Sequence, residues 1–349
     1  MVSAAVLPQG AQASHGSTGS IVHIQGSDVW LTSPDGATQV RVTNDGGTPS
    51  PDGTGDGPYF SPSQTDDGNI IVAVRNQLQD NGFRQGYLWI MNREGEVISK
   101  FAPPQFEFVH TRCNDFTQGP SGIYQAAVSP DGTKIAYVDR ALIRDSICGI
   151  DEITALRVID IDGSNHQQIT RPDGSSLDLF DPSWASESRL LLYDSGIAYV
   201  DLPDPTARLW TDTAAEEGSS FPVLEADKLA TTGPNTFFGE KELRLWSANG
   251  GPPAPPATSR CTITDPVRDF ATPTWAPGGE AVAWWEFYRD EVPDEQGAGI
   301  WAVSVGDLTT SCPTREEAHL IVPGGSWPFW GPAPVSGSGT TTTSTPATT

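Results

Sequence analysis

Residues 124–139 read YQAAVSPDGTKIAYVD, and residues 156–170 read LRVIDIDGSNHQQIT. Tyr124–Val128 is a short apolar run, and Ser129-Pro130-Asp131-Gly132 follows it as a turn. Proline presets φ at the second turn position, the Asp side chain bonds backbone amides, and Gly accepts positive φ. Lys134–Val138 (KIAYV) is then a second strand, bounded by Asp139. After an insertion, Leu156–Ile161 (LRVIDI) is a third strand, Asp162-Gly163 a second hairpin turn, and Gln167–Thr170 a fourth strand. Four antiparallel strands in a unit of this length make one blade of a β-propeller.

Weaker copies run along the whole chain. The first strand of each carries Pro or Ala, any residue, a large apolar residue, any residue, and often a second Pro. It recurs at Pro58–Pro62 (PYFSP), Ala126–Pro130 (AAVSP) and Pro182–Ser186 (PSWAS). Pro222–Ala226 (PVLEA), Pro273–Pro277 (PTWAP) and Pro328–Pro332 (PFWGP) complete the set. The large residues stand at 60, 128, 184, 224, 275 and 330, a spacing that fits four-stranded blades with loops of varied length. A β-rich second strand follows at Asn69–Val74, Lys134–Val138, Arg189–Tyr193, Lys228–Thr231 and Glu280–Trp285. Third strands follow at Tyr87–Met91, Leu156–Ile161, Ile197–Leu202, Glu242–Trp246 and Gly299–Val305. The copy at Trp330 stops after its first strand. Its missing strands are expected at the other end, at Ser20–Gln25, Asp28–Thr32 and Thr38–Thr43. The expected fold is therefore all-β: a six-bladed β-propeller of four-stranded antiparallel blades over 20–333. Strands from the N- and C-terminal ends share one blade, which removes free sheet edges.

Composition agrees. The chain has 349 residues with 36 Gly and 30 Pro, and no stretch of helical length keeps apolar residues three and four apart. Twenty Lys and Arg against 44 Asp and Glu give a formal charge of −24. Such a surface repels phosphate backbones and anionic lipid heads, so nucleic acid and membrane surfaces are poor partners. No apolar run is long enough to span a bilayer. Met1–Ala13 ends in Ala11-Gln12-Ala13, the small-residue pattern of a signal-peptidase site. Residues 1–19 are thus expected to be a signal remnant or a disordered N-terminus, and 334–349 (PVSGSGTTTTSTPATT) a disordered tail. An exported chain with four cysteines and no C-x-x-C suits two disulfides. The expected pairs are Cys113 with Cys148 and Cys261 with Cys312.

Pro-x-Trp-x-Pro, a following Asp-Gly, an Ile-Ala-Tyr strand and a later Asp-x-Asp-Gly resemble the TolB-like family of propeller repeats. The closest matches are Ala126–Val138 with Val158–Thr170, Pro273–Trp285, and Ser20–Thr43. The resemblance implies a secreted or periplasmic scaffold that binds a partner through one ring face or the central channel.

Tests for chemistry return little. There is no G-x-S-x-G elbow for a serine hydrolase. Ser129-Pro130-Asp131-Gly132 lacks the Trp and spacing of a sialidase Asp box. The histidines, at 15, 23, 110, 166 and 319, show no ligand spacing. Asp160 and Asp162 before Gly163 lack the remaining ligands of a calcium loop and read as a hairpin turn. Asp265 with Asp269, or Glu286 with Asp290, would serve as acid and base only if they lined the channel, and they read instead as solvated loop charges. No catalytic, cofactor-binding or metal-binding residue is assigned, and no cofactor is expected. Trp184, Trp275 and Trp330 occupy equivalent positions and read as packing between blades. Trp284, Trp285, Trp327 and Phe329 crowd the closing region and are the candidate binding residues. The expectation is a monomeric, non-catalytic propeller binding a protein or cell-envelope component. The alternatives are a lactonase- or lyase-type propeller enzyme with a metal at the channel mouth, or a carbohydrate-binding propeller.

Overall fold

The computed structural model describes residues 18–47, 57–78, 84–102, 116–145, 149–177, 180–194, 196–211, 220–236, 239–257, 260–265, 267–288 and 297–335. Cys113, Cys148, His15, His110, Asp290, and the bulk of both expected terminal segments lie outside them.

β1 (Ser20–Gln25), β2 (Asp28–Thr32) and β3 (Gln39–Arg41) pair in that order. Blade 1 is β4 (Tyr59–Gln64), β5 (Ile71–Leu78), β6 (Arg84–Met91) and β7 (Val97–Phe101). Blade 2 is β8 (Phe116–Val128), β9 (Lys134–Asp145), β10 (Gly149–Asp160) and β11 (Gln167–Gln168). Blade 3 is β12 (Phe180–Trp184), β13 (Arg189–Tyr193), β14 (Ile197–Asp201) and β15 (Arg208–Thr211). Blade 4 is β16 (Ser220–Glu225), β17 (Lys228–Thr236), β18 (Gly239–Ser247) and β19 (Arg260–Thr264). Blade 5 is β20 (Arg268–Trp275), β21 (Ala281–Tyr288), β22 (Gly299–Ser304) and β23 (His319–Pro323). Finally β24 (Ser326–Gly331) pairs with β1 as the innermost strand of blade 6. The first strands touch in a circle: β4 meets β8, β8 meets β12, β12 meets β16, β16 meets β20, β20 meets β24, and β24 meets β4. The protein is a six-bladed propeller.

The core lies between blades. Ile71 and Ala73 of β5 pack toward blade 6 against Val22 and Val29, whereas Val72 and Val74 pack toward blade 2 against Val128 and Ile135. Both faces of a blade are thus buried, and its strands read as unbroken apolar runs rather than alternating ones. Each such side chain contributes about 1.5–3 kcal/mol by leaving water.

The Ser-Pro-Asp-Gly turn works as its chemistry dictates. Ser129 Oγ donates to Asp131 Oδ1 at 2.6 Å, Lys134 N donates to Ser129 Oγ at 2.9 Å, and Gly132 sits at φ +74°. The same hydroxyl-to-Asp contact recurs at Thr65–Asp67 (2.6 Å) and Ser33–Asp35 (2.5 Å).

Register corrects one copy of the repeat. Val128 pairs with Ile135 and Trp275 with Val282, each across a six-residue turn, and Gln64 pairs with Ile71 in the same way. The residue equivalent to Trp184, Trp275 and Trp330 is therefore Gln64, and Pro62 is equivalent to Pro182. Phe60, the position expected from the sequence, stands four residues too early. The reason is chemical: Gln64 is buried against the chain ends, where its Nε2 donates to Ser20 O at 2.9 Å. An apolar pattern cannot mark such a residue. The insertion after Asp139 is likewise not a loop, because β9 and β10 pair without a break from Lys134↔Asp160 to Asp145↔Gly149.

Closure is as expected. Ile21 pairs with Trp330 and Val22 with Phe329. Arg93 of blade 1 clamps both ends, donating to Ser20 Oγ at 2.8 Å and to Pro334 O at 2.6 Å. The structure also places Cys261 and Cys312 at bonding distance, S–S 1.99 Å.

Candidate functional site: the axial cavity

The six inner strands enclose a cavity of about 750 Å³, within the range of small-ligand sites. A backbone irregularity shapes its wall. Each inner strand carries a β-bulge against its neighbour, and in five of the six the bulge is a residue followed by proline. The residues before those prolines have φ values of +47° (Ser61), +72° (Asp181), +52° (Phe221), +45° (Thr272) and +55° (Trp327). Positive φ in a bulky residue is a conformation that only surrounding structure enforces, at about 1–3 kcal/mol each. Here the ring enforces it five times, and all five residues line the cavity. Gln125 completes the circle in blade 2. A bulge re-aims a side chain, and at this level the wall has two halves. Ser61, Gln125 and Asp181 are polar and consecutive around the ring, while Phe221, Thr272 and Trp327 are the other three.

On the polar half, Gln125 Nε2 donates to Asp181 Oδ1, Asp181 N donates to Gln125 Oε1 at 2.6 Å, and Phe221 N donates to Asp181 Oδ2 at 3.3 Å. One carboxylate thus ties three neighbouring blades together. Burial pushes its pKa from the ordinary 3.8 up to about 7, against the opposing pull of Gln125 and the Phe221 amide. On the apolar half, Phe221 and Trp327 meet edge to face at 6.5 Å, although blade 5 lies between their strands. Trp285 stacks on Trp327 at 5.9 Å and Phe287 on Trp285 at 4.7 Å, so a row of four half-buried aromatic rings leads away from the cavity.

At the turn end of the inner strands the wall carries Asp66, Glu187 and Glu225 from three different blades. Burial raises the Asp66 pKa, and the like charges of Glu225, Asp67 and Glu187 raise it further. No Lys, Arg or His lines the cavity among the described residues. Trp184, Trp275 and Trp330 also line it, and each indole N–H is spent on a backbone carbonyl: Ala127 O at 2.9 Å, Val223 O at 3.2 Å and Thr18 O at 3.2 Å.

The four aromatic candidates separate. Trp327 and Phe329 line the cavity, and Trp285 touches it through Trp327. Trp284 lies apart, fully buried between blades against Phe270, its N–H donated to Glu286 Oε1 at 2.9 Å. Of the acid pairs, the described members Asp265, Asp269 and Glu286 do not line the cavity, and Asp269 and Glu286 are fully buried rather than solvated loop charges. Asp265 accepts the Val267 and Arg268 amides, Asp269 is buried in blade 5, and Glu286 is buried beneath Arg268 (2.9 Å) and Arg315 (2.8 Å). Asp160 takes Lys134 and Asn165, both at 2.6 Å, and so acts within its own hairpin. His23 is buried with Nε2 at 2.7 Å from Thr32 Oγ1, and burial lowers its pKa to about 4. Sequence reasoning passed over Asp181, Gln125 and Phe221. A signal existed for two of them, since Asp181 and Phe221 each precede the repeating proline.

No helix among the described residues is long and apolar enough to cross a membrane. No family model matches the chain, and no curated protein matches it. Among solved structures, a protein of Agrobacterium tumefaciens assigned as TolB is 13% identical with a TM-score of 0.49, over 83% of this chain and 86% of that one. An apocarotenoid oxygenase of Synechocystis is 11% identical with a TM-score of 0.47, over 88% of this chain and 73% of that one. Its cobalt-substituted form is 10% identical with a TM-score of 0.46, over the same shares. These are similarities of a chain to other chains and say nothing of its activity.

Proposed function

We propose that this chain is a secreted, monomeric, non-catalytic propeller that holds a segment of a protein or cell-envelope partner in its axial cavity. The observation that carries the reading is the wall itself: aromatic rings and prolines from all six blades around about 750 Å³. Such a wall supplies apolar contact area and stacking. The buried carboxyls that would supply acid–base chemistry are committed elsewhere, Asp181 to Gln125 and the Phe221 amide, Glu286 to two guanidinium groups. Export is supported by the Ala11-Gln12-Ala13 pattern and by the approach of Cys261 and Cys312.

The test is a peptide array of envelope proteins probed with the purified chain and with Trp327→Ala. Capture of a small set of peptides, lost in the variant, is the expected result. Turnover of a lactone or sugar acid by the purified chain, with or without added divalent metal, would overturn it.

A further inference from the structure

We propose that the cavity selects a basic, extended segment of its partner, with Lys or Arg side chains lodged at the turn-side mouth. This inference rests on the cavity being a binding site and adds the chemistry of what enters. The wall holds four carboxylates, Asp66, Asp181, Glu187 and Glu225, and no base among the described residues. Elsewhere in this fold an inward-lying acid meets a guanidinium: Asp28 meets Arg41, Asp194 meets Arg171 (2.5 Å), and Glu286 meets two arginines. At the mouth, where Asp66 and Glu187 are exposed and Glu225 is half-buried, no cationic side chain lines the wall among the described residues, and the fields of three acids from three blades overlap at Asp66. A cation from outside supplies that charge.

Two further features fit the same occupant. Aromatic faces beside carboxylates attract ammonium and guanidinium groups through the ring quadrupole, and Trp184, Trp275, Trp327 and Phe329 all line this cavity. The distance also fits. From the bulge, β12 runs on from Asp181 to Trp184 and β24 from Trp327 to Gly331, about 10–14 Å of extended chain from bulge ring to turn end. A partner segment of about four residues therefore crosses this stretch, placing an apolar group against Phe221 and Trp327 and a basic one among Asp66, Glu187 and Glu225. The overall charge of −24 draws such a segment in.

The probes are three end-capped peptides of about six residues, identical except that two positions are both Lys, both Gln or both Glu, each containing one aromatic residue. Isothermal titration is run against the intact chain, Trp327→Ala, and the combined variant Asp66→Asn, Glu187→Gln and Glu225→Gln. Asp181 is left in place because it holds the bulge ring, and circular dichroism melting checks that each variant folds. The Lys peptide should bind roughly tenfold tighter than the Gln peptide at low salt, and the Glu peptide more weakly still. The Lys advantage should shrink in 0.5 M salt, because the Debye length there is only a few ångströms, and vanish in the combined variant. Equal binding of Lys and Gln peptides to the intact chain overturns the charge selection and leaves the binding site standing. Binding of none of the three, or equal binding with and without Trp327, overturns the site itself.

Discussion

Replacing Asp181 with Asn removes one titrating group from the cavity wall while keeping its shape. The carboxyl of Asp181 has a pKa of about 7 in place of 3.8 because burial disfavours the charged form. At 1.36 kcal/mol per unit, the ionised form costs about 4 kcal/mol, an upper figure once the wall relaxes. The sign follows from proton binding. Between pH 3.8 and 7 the folded chain holds a proton that the unfolded chain has released, so this stability is full below 3.8 and lost as pH rises to 7. Asn cannot titrate, but it keeps only one side-chain acceptor for the two donors, Gln125 Nε2 and Phe221 N, that Asp181 satisfies. That loss costs about 1 kcal/mol. Asp181→Asn should therefore be less stable than the parent near pH 4 and more stable, by up to about 3 kcal/mol, at pH 8. The crossover falls between about pH 4 and 6. Urea denaturation followed by tryptophan fluorescence at half-unit pH steps measures both curves. Asp139, buried and also pushed to about 7, titrates in both proteins and cancels in the difference. Curves that stay parallel from pH 4.5 to 8 would refute the assignment of a buried, uncompensated acid at 181.

Other perturbations test the frame. Cys261→Ser opens a link between residues 51 apart, so it should cost about 4 kcal/mol on the chain-entropy scale, and reductant should lower the melting temperature of the parent by more than that of the variant. Trp330→Ala, at the seam between blades 5 and 6, should cost about 3–5 kcal/mol in denaturant midpoints. Arg93→Ala should speed amide exchange in β1 and β24 while leaving blades 3 and 4 unchanged, since Arg93 bonds Ser20 and Pro334. Asp67→Asn should destabilise the chain at pH 7, and by progressively less as the pH falls below the ordinary carboxylate range. Its carboxyl is held low by the Thr65 hydroxyl and the Asn69 amide, a contribution present above the unfolded pKa and lost as pH falls through the folded one. A gap between parent and variant that stays constant as the pH falls through the acid range would contradict this.

The blade count was legible because turn chemistry and apolar runs are local properties. Ser129 to Gly132 and the strands around it announce themselves in any window of about fifteen residues. Closure could be read by elimination: Trp330 lacked partners, and Ser20–Thr43 lacked a first strand. The site was only half legible. Trp327 and Phe329 drew notice as aromatics, yet Trp284 is equally aromatic and faces a blade interface, because one step along a strand turns a side chain to the other face. Gln125 and Asp181 meet across 56 positions through a bond between blades. Nothing in either local sequence marks it. Gln64 is the sharpest case, a polar residue at an apolar repeat position whose partner is Ser20, 44 positions back in blade 6.

The shared blade also sets an order of assembly. Of the six sheets, the one begun by β1 is started first and finished last, since β24 is made only after the other five blades. Until then β1 offers an unsatisfied ladder of amides and carbonyls to any passing strand, including β1 of another nascent copy. A chain halted before Ser326 would carry that sticky seam permanently, so early termination at the far end should yield aggregates rather than a five-bladed relic.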